Sequence, residues 1–276
     1  MNKKSNFLEI FKKVKFRSLK HSNYFDIYDE IFEKYRNKKI TLVEIGVTNG
    51  GSLMMWREYF GDNANIIGID FNPSAKKWED HGFKIFIGDQ SDPSFWNNFF
   101  LEIGKIDILI DDGGHTNQQQ IITFDSCYQN INDNGIIFFE DTHASYLKEF
   151  GNPSKYSFIN FCYSLVDGIN KKTINKKISS YIAKIYKIQF YQSVVVFFFN
   201  KDGAQASYSV DNEGIVMNAE DYRLKDTKIF NIIEIIKNKL RRYINIKIFN
   251  LIKKIYPIFK FLVFKIKNNK NKKYFK

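Results

Sequence analysis

Cysteine is nearly missing from this chain of 276 residues, and long apolar runs are missing altogether. The two cysteines, Cys127 and Cys162, have neither metal nor redox spacing, so both read as small buried hydrophobes rather than as parts of a cluster or a disulfide. No stretch approaches the ~20 consecutive apolar residues that a membrane span needs. Lysines interrupt the apolar residues between Met1 and Phe16, so no signal-peptide core is visible and a cytoplasmic protein is expected. Acids are almost absent from one end. Residues 228–276 carry 15 Lys and Arg against Glu234 alone, while the rest holds 27 bases and 29 acids, so the tail supplies the net charge of +12. A nearly neutral body argues against a nucleic-acid groove, and no Asn/Asp-Pro-Pro-aromatic motif for a flipped base occurs.

What is present is a repeating grammar of apolar strands and helices. Strands are expected at Ile40–Gly46, Asn65–Asp70, Phe83–Ile87, Ile106–Asp111 and Ile136–Phe139. Helices fall between them: Ser52–Phe60 with Ser52 as its cap, Pro73–His81, Pro93–Ile103 and Asn117–Asn130, with Lys155–Ile169 after the fifth strand. Five alternations predict a parallel, doubly wound α/β sheet. The runs Ile182–Phe190 and Ser193–Asn200 then read as an antiparallel hairpin, which gives a Rossmann-like, mostly parallel seven-stranded sheet of the class I methyltransferase type.

Two strand ends carry the chemistry. One reads Asp111-Asp112-Gly113-Gly114-His115, the other Glu140-Asp141-Thr142-His143. Ligands bind outside the carboxyl ends of parallel strands, so these residues converge on one crevice. Alternation sends Asp111 and Asp112 to opposite sides of the sheet, one toward a cofactor and one toward an acceptor. Asp112, Glu140 and Asp141 form a carboxylate cluster suited to a hard cation, Mg²⁺ above all, with Mn²⁺ or Ca²⁺ as alternatives. His115 is placed to take a proton from an acceptor hydroxyl.

The cofactor half lies upstream. A dinucleotide loop needs G-x-G-x-x-G, but Val47 and Thr48 occupy the turn after Gly46, and Glu44 precedes it. An acid there repels a pyrophosphate and suits a cationic ligand such as S-adenosylmethionine. Asp70, 24 positions after Gly46, suits ribose hydroxyls, and Asp89 the adenine amino group. The cofactor candidates are therefore Glu44, Gly46, Thr48, Ser52, Asp70, Asp89, Gln90 and Asp111, with Tyr28 reaching in from the preceding segment.

Glu44-Ile-Gly-Val, Gly50-Gly-Ser-Leu-x-x-Trp56-Arg57, Gly68-Ile-Asp70, Gly88-Asp-Gln-Ser-Asp92, Asp111-Asp-Gly-Gly-His115 and Glu140-Asp141-Thr-His together resemble the metal-dependent sugar O-methyltransferases. These are S-adenosylmethionine enzymes of macrolide-sugar, cephalosporin-tailoring and surface-polysaccharide pathways, and the likeness covers roughly residues 20–200. The resemblance implies Asp112, Glu140 and Asp141 as Mg²⁺ ligands and His115 as base. It also implies that the segment with His21, Tyr24 and Tyr28 closes over the site, leaving His21, Tyr24, His143 and Tyr146 for the acceptor. The activity expected is O-methylation of a sugar hydroxyl in surface polysaccharide (capsule or lipopolysaccharide) synthesis. An antibiotic or other small secondary metabolite is the alternative acceptor, and an NAD(P)-dependent oxidoreductase or a membrane-peripheral binding module are alternatives of other classes.

Three regions result: an N-terminal helical segment (1–36), the methyltransferase domain (37–205), and a linker with a basic tail (206–276). In the tail Ile232, Ile233, Ile236, Leu240, Ile244, Phe249, Ile252, Tyr256, Phe259 and Leu262 alternate with Lys and Arg, and Pro257 is expected to kink or divide any helix. Such a composition suits the interface of an anionic membrane through 228–276, which adds the inner membrane face to the expected location. The acceptor is open between nucleotide-linked and lipid-linked glycans, and a homo-oligomer is also open.

Overall fold

The computed structural model describes residues 6–174, 178–215, 235 and 246–274. The chain divides into two units, Met1–Ser209 and Val210–Lys276.

In the first unit, α1 (Asn6–Phe11) and α2 (Tyr24–Phe32) precede the alternating part. Then follow β1 (Thr41–Ile45), α3 (Gly51–Phe60), β2 (Asn65–Asp70), a 3₁₀ segment over Pro73–His81, β3 (Lys84–Ile87), α4 (Pro93–Ile103), β4 (Ile106–Asp111), α5 (Asn117–Cys127), β5 (Ile131–Phe139), α6 (Phe158–Asn170), α7 (Ser180–Lys184), β6 (Ile185–Tyr191) and β7 (Val194–Phe199). The sheet order is β3-β2-β1-β4-β5-β7-β6. The first five strands pair in parallel, and β7 runs antiparallel to both β5 and β6. The mostly parallel sheet ending in a hairpin is the one the sequence predicts.

Some boundaries differ from expectation for identifiable reasons. Gly50, in the left-handed conformation, caps α3 in place of Ser52, whose hydroxyl donates instead to Glu44. Thr116 caps α5 through a box with Gln119, which leaves His115 free of that duty. Ile182 to Lys184 are helical, because Ser179 caps α7 just before the hairpin begins. Both cysteines are buried.

Strand alternation divides the apolar residues between two faces. On β5, Ile136 and Phe138 join the cluster of Phe7, Tyr28, Phe32, Trp56 and Phe60, while Ile137 and Phe139 join Trp96, Phe99, Phe124 and Phe158. On β7, Val194, Val196 and Phe198 face the first cluster, and Val195, Phe197 and Phe199 face the second. The N-terminal helices are thus part of the core: Phe7 stacks on Tyr59 at 3.6 Å, and Tyr28 packs edge-on to Trp56 at 5.1 Å.

Among the described residues of the second unit, α8 (Ile246–Asn269) passes through Pro257 undivided. Proline removes one i→i−4 bond, and the remaining ladder carries the helix across it. Among the described residues no helix is long and apolar enough to cross a membrane. Ile232, Ile233, Ile236, Leu240 and Ile244 of the expected tail pattern lie outside the described residues.

Phe138 is fully enclosed and Leu101 is 85% exposed. Phe138→Ala should cost about 3–5 kcal/mol in denaturant unfolding, and Leu101→Ala no more than about 0.5 kcal/mol. Equal losses would contradict this division of the core.

Candidate functional site

The register that pairs Glu44 with Ile110 and Ile110 with Phe138 puts all three on one face of the sheet. Asp112 and Glu140 follow Ile110 and Phe138 by two residues each and return to that face. The chain stays in ladder contact there, since Asp112 N–H donates to Ile45 O at 3.1 Å and Glu140 N–H to Asp111 O at 2.9 Å. Three carboxylates from adjacent strand ends therefore crowd together. Into their midst comes Lys20, a residue the sequence reading passed over.

Lys20 Nζ donates to Asp112 Oδ2 at 2.6 Å and Glu140 Oε2 at 2.8 Å, stands 3.9 Å from Glu44 Oε1, and is 1% exposed. Burial alone would lower the ammonium pKa, but the carboxylates of Asp112, Glu140 and Glu44 outweigh it and hold the group well above its ordinary value. The acids bear the complementary effect. Burial pushes Glu44 up to about 7 and Glu140 up to about 8; in each case Lys20 opposes the rise and Asp112 adds to it.

Glycine permits the approach of the segment that carries Lys20. A Cβ on Gly51 would lie 2.4 Å from Phe16 O, so the strand of chain at 16–17 crosses the start of α3 where no side chain stands. Phe16 anchors it by packing on Trp78 at 4.7 Å. Nothing in the run Lys12, Lys13, Lys15, Arg17, Lys20 singles out the last of these bases by pattern. Only the fold does.

Glu140 is held on its other oxygen by the Tyr28 hydroxyl at 2.5 Å, and its backbone carbonyl accepts from Gln120 Nε2 at 3.1 Å. Asp141, left-handed at φ 51°, turns away from Glu140 and toward the mouth. The Tyr24 hydroxyl donates to its Oδ1 at 2.6 Å, and burial followed by this bond raises the tyrosine pKa well above its usual value. His115 Nε2 lies 3.3 Å from Asp141 Oδ2 and 4.0 Å from Asp112 Oδ1. His21 Nε2 and His143 Nδ1 lie 3.5 Å and 3.9 Å from Asp141 Oδ1. The fold thus gathers His21, Tyr24, His115, His143, Asp112 and Asp141 at one place. Tyr146 is largely exposed, and its hydroxyl pairs with Tyr163 rather than with this group.

Beside the cluster, at the ends of β1–β4, a cavity of about 340 Å³ is lined by Gly46, Thr48, Asp70, Asp89, Gln90 and Gly113, with Asp112 also in its wall. Gly46, at φ 91°, has no substitute, because a Cβ would fall 2.0 Å from Asp112 O. Asp70 accepts from the N–H groups of Thr48 at 2.9 Å and Asn72 at 2.8 Å, which fixes the carboxylate and leaves lone pairs for a ligand. Asp89 uses Oδ1 for Ser91, and Oδ2 remains available.

Four of the expected cofactor residues stand behind the cavity wall. Glu44 and Ser52 bond to each other within the Lys20 cluster, and Tyr28 holds Glu140. Asp111 faces the other side of the sheet, fully buried, where Gln90 Nε2 donates to both its oxygens at 3.1 and 2.9 Å. Burial raises its pKa, and the bonds from Gln90 and Gly113 oppose the rise. The two adjacent aspartates do point oppositely, as alternation requires, but Asp111 braces the loop under the cavity and does not line it.

The cluster suits a divalent cation by charge, since among the described residues Glu44, Asp112 and Glu140 share one ammonium and Asp141 stands beside them without one. Donor atoms of Asp112, His115 and Asp141 all lie within 4.8 Å of one another. Glu140, expected as the third carboxylate ligand, has both oxygens engaged by Lys20 and Tyr28. Lys20 stands where it shares Asp112 and Glu140 with any such ion.

Residues 43–142 match the family model described as a methyltransferase domain. That match and the sheet order define the class: the fold is that of the class I S-adenosylmethionine-dependent methyltransferases. Its curated relatives are sugar O-methyltransferases. The 8-demethyl-8-alpha-L-rhamnosyl tetracenomycin-C 2'-O-methyltransferase of Streptomyces olivaceus is 31% identical over 153 residues, covering 52% of this chain and 40% of the relative. The mycinamicin VI 2''-O-methyltransferase of Micromonospora griseorubida is 30% identical over 159 residues, 53% of this chain and 39% of its own. The chain thus spans about two fifths of these relatives' length. Among solved structures, MycE methyltransferase of the mycinamycin pathway in complex with Mg and SAH superposes with TM-score 0.64 at 24% identity, covering 82% of this chain and 59% of that one. At this identity the likeness is one of fold.

Lys20→Met should destabilise the protein by about 3–5 kcal/mol in chelator, the usual penalty for stranding buried charge. Added Mg²⁺ should recover part of that loss, because ion and ammonium draw on the same carboxylates. Thermal melts in chelator and in Mg²⁺ check both effects, and an unchanged melt in chelator would contradict them.

Proposed function

We propose that this chain is an S-adenosylmethionine- and Mg²⁺-dependent O-methyltransferase acting on a sugar hydroxyl. The observation that carries the reading is the placing of His115 Nε2 3.3 Å from Asp141 Oδ2, beside Asp112, which also lines the cavity holding Asp70 and Asp89. Base, cation ligands and cofactor cavity adjoin. Asp70 Oδ atoms would accept from the cofactor's ribose hydroxyls and Asp89 Oδ2 from its adenine amino group, while Gly46 leaves room for the methionine end. Asp112 and Asp141 would hold the cation, with Glu140 joining where Lys20 yields an oxygen. When bound, S-adenosylmethionine supplies the electrophilic methyl, and Mg²⁺ supplies charge that acidifies a neighbouring hydroxyl.

This chain's own part is proton transfer and placement. His115 Nε2 removes the acceptor's hydroxyl proton, and Asp141 Oδ2 stabilises the imidazolium that results. Tyr24 orients Asp141 and Tyr28 orients Glu140, so these carboxylates are aimed before an acceptor arrives. The rate then depends on holding oxygen and methyl in line at near-contact distance.

The relatives' names favour a glycosylated small molecule as acceptor over surface polysaccharide. One feature of the chain favours the surface-glycan reading: the basic tail. On α8 the apolar Ile258, Leu262 and Ile266 follow one another at helical spacing, all exposed, with Lys254 and Lys265 exposed on the same helix and Lys272 and Lys273 exposed just after it. Such a stripe on an acid-free helix suits anionic lipid, where a lipid-linked glycan would be met.

Methyl transfer to a glycosylated acceptor should stop in chelator and return with Mg²⁺. His115→Ala should lower turnover by ~10²–10⁴-fold while S-adenosylhomocysteine binding, followed by calorimetry with NADH as control, stays unchanged. Preference for NADH would overturn the class of reaction, and full turnover in chelator the role of the ion. The full chain should float with anionic vesicles at low salt, and a chain ending at Asp226 should not. Failure of both to float would remove the membrane partner.

A further inference from the structure

Asp141 serves two groups at once. Its Oδ2 faces His115 Nε2 at 3.3 Å, while its Oδ1 faces His21 Nε2 at 3.5 Å and His143 Nδ1 at 3.9 Å. The donor atoms of His21, Asp141 and His143 all lie within 4.8 Å of one another. Ligand atoms around a tetrahedral zinc-class ion stand roughly 3.3 Å apart, from bond lengths near 2 Å, and the two histidine nitrogens already stand 3.5 and 3.9 Å from Asp141 Oδ1. The imidazoles meet edge to face at 5.4 Å, which brings two nitrogens toward one point without stacking the rings. His143 Nδ1 is sealed from solvent and has no hydrogen-bond partner, an orphaned donor position beside a carboxylate. The Tyr24 hydroxyl holds Asp141 Oδ1 at 2.6 Å, the outer bond that orients a metal-ligating carboxylate. The side chains of His21 and His143 are 56% and 40% exposed, so a fourth position opens to solvent.

We propose that His21, Asp141 and His143 form a second cation site, distinct from the Mg²⁺ site proposed above and bridged to it by the Asp141 carboxylate. Two imidazoles and one carboxylate select a borderline ion of the Zn²⁺ class, whereas the inner carboxylates select a hard one. The outer ion lies at the mouth, where it coordinates a water or an oxygen of the acceptor. The assignment rests on the reading of the inner site only for the bridge.

The test is retention of Zn²⁺ by the full chain in excess Mg²⁺, measured by elemental analysis after gel filtration and by titration calorimetry. The native protein should keep one equivalent. His21→Ala and His143→Ala should each lose it, with melting curves confirming that both fold. Tyr24→Phe should weaken binding by ~10–100-fold through loss of the outer bond. Asp112→Asn should disable the inner site yet keep Zn²⁺, which separates failure of this site from failure of the Mg²⁺ reading. No retained Zn²⁺ in the native protein, or retention unchanged by both histidine substitutions, overturns the proposal.

Discussion

A single buried ammonium governs the rest of this molecule. Glu44, Asp112 and Glu140 come from three neighbouring strands, and their enclosure would be prohibitive without a counter-charge. Lys20 supplies it at 2.6 and 2.8 Å from two of them, from a segment that belongs to no strand or helix. The arrangement explains why the N-terminal residues are part of the core. Delivering Lys20 requires Phe16 on Trp78 and a bare Gly51 beneath the chain, and α1 and α2 close over the same face through Phe7, Tyr28 and Phe32. Stability and site geometry are therefore one problem at this place.

The two faces of the sheet divide the remaining work. Glu44, Asp112 and Glu140 look toward the N-terminal helices, whereas Asp111 looks toward α5 and is consumed by Gln90. Gln90 in turn receives Gly114 N–H on its Oε1 at 3.0 Å, so the loop carrying His115 rests on a buried amide rather than on solvent. Thr48, His115 and Asp141 all adopt positive φ without being glycine. Backbone of that kind persists only where its surroundings over-determine it, and it concentrates at sites. Here it sets the direction of Thr48 at the cavity, of His115 and of Asp141.

The stretch shared with the curated relatives covers about half of this chain. The relatives are about two and a half times as long as that stretch. The tail here is a separate unit with an exposed apolar stripe and no acid in α8. His21, Tyr24 and His143 form the outer edge of the site, gathered around Asp141.

Much of this was written in local pattern. Period-two alternation with capped helices between strands determines a parallel sheet, and paired acids at two strand ends determine where its site must lie, because strand direction decides which end ligands can reach. The same alternation determines that Asp111 and Asp112 part company. Which of them faces the cavity is not local, since it depends on Gln90 arriving from the end of β3, 21 residues earlier. Ser52 does not cap α3, because its hydroxyl has a better partner in Glu44 than in the helix backbone. Lys20 had no signature at all: one lysine among several, 92 residues from Asp112 and 120 from Glu140. Residue type and spacing determined the sheet and the acids; only tertiary structure chose the cation that neutralises them, because a counter-charge is selected by where the chain passes and not by its neighbours in sequence.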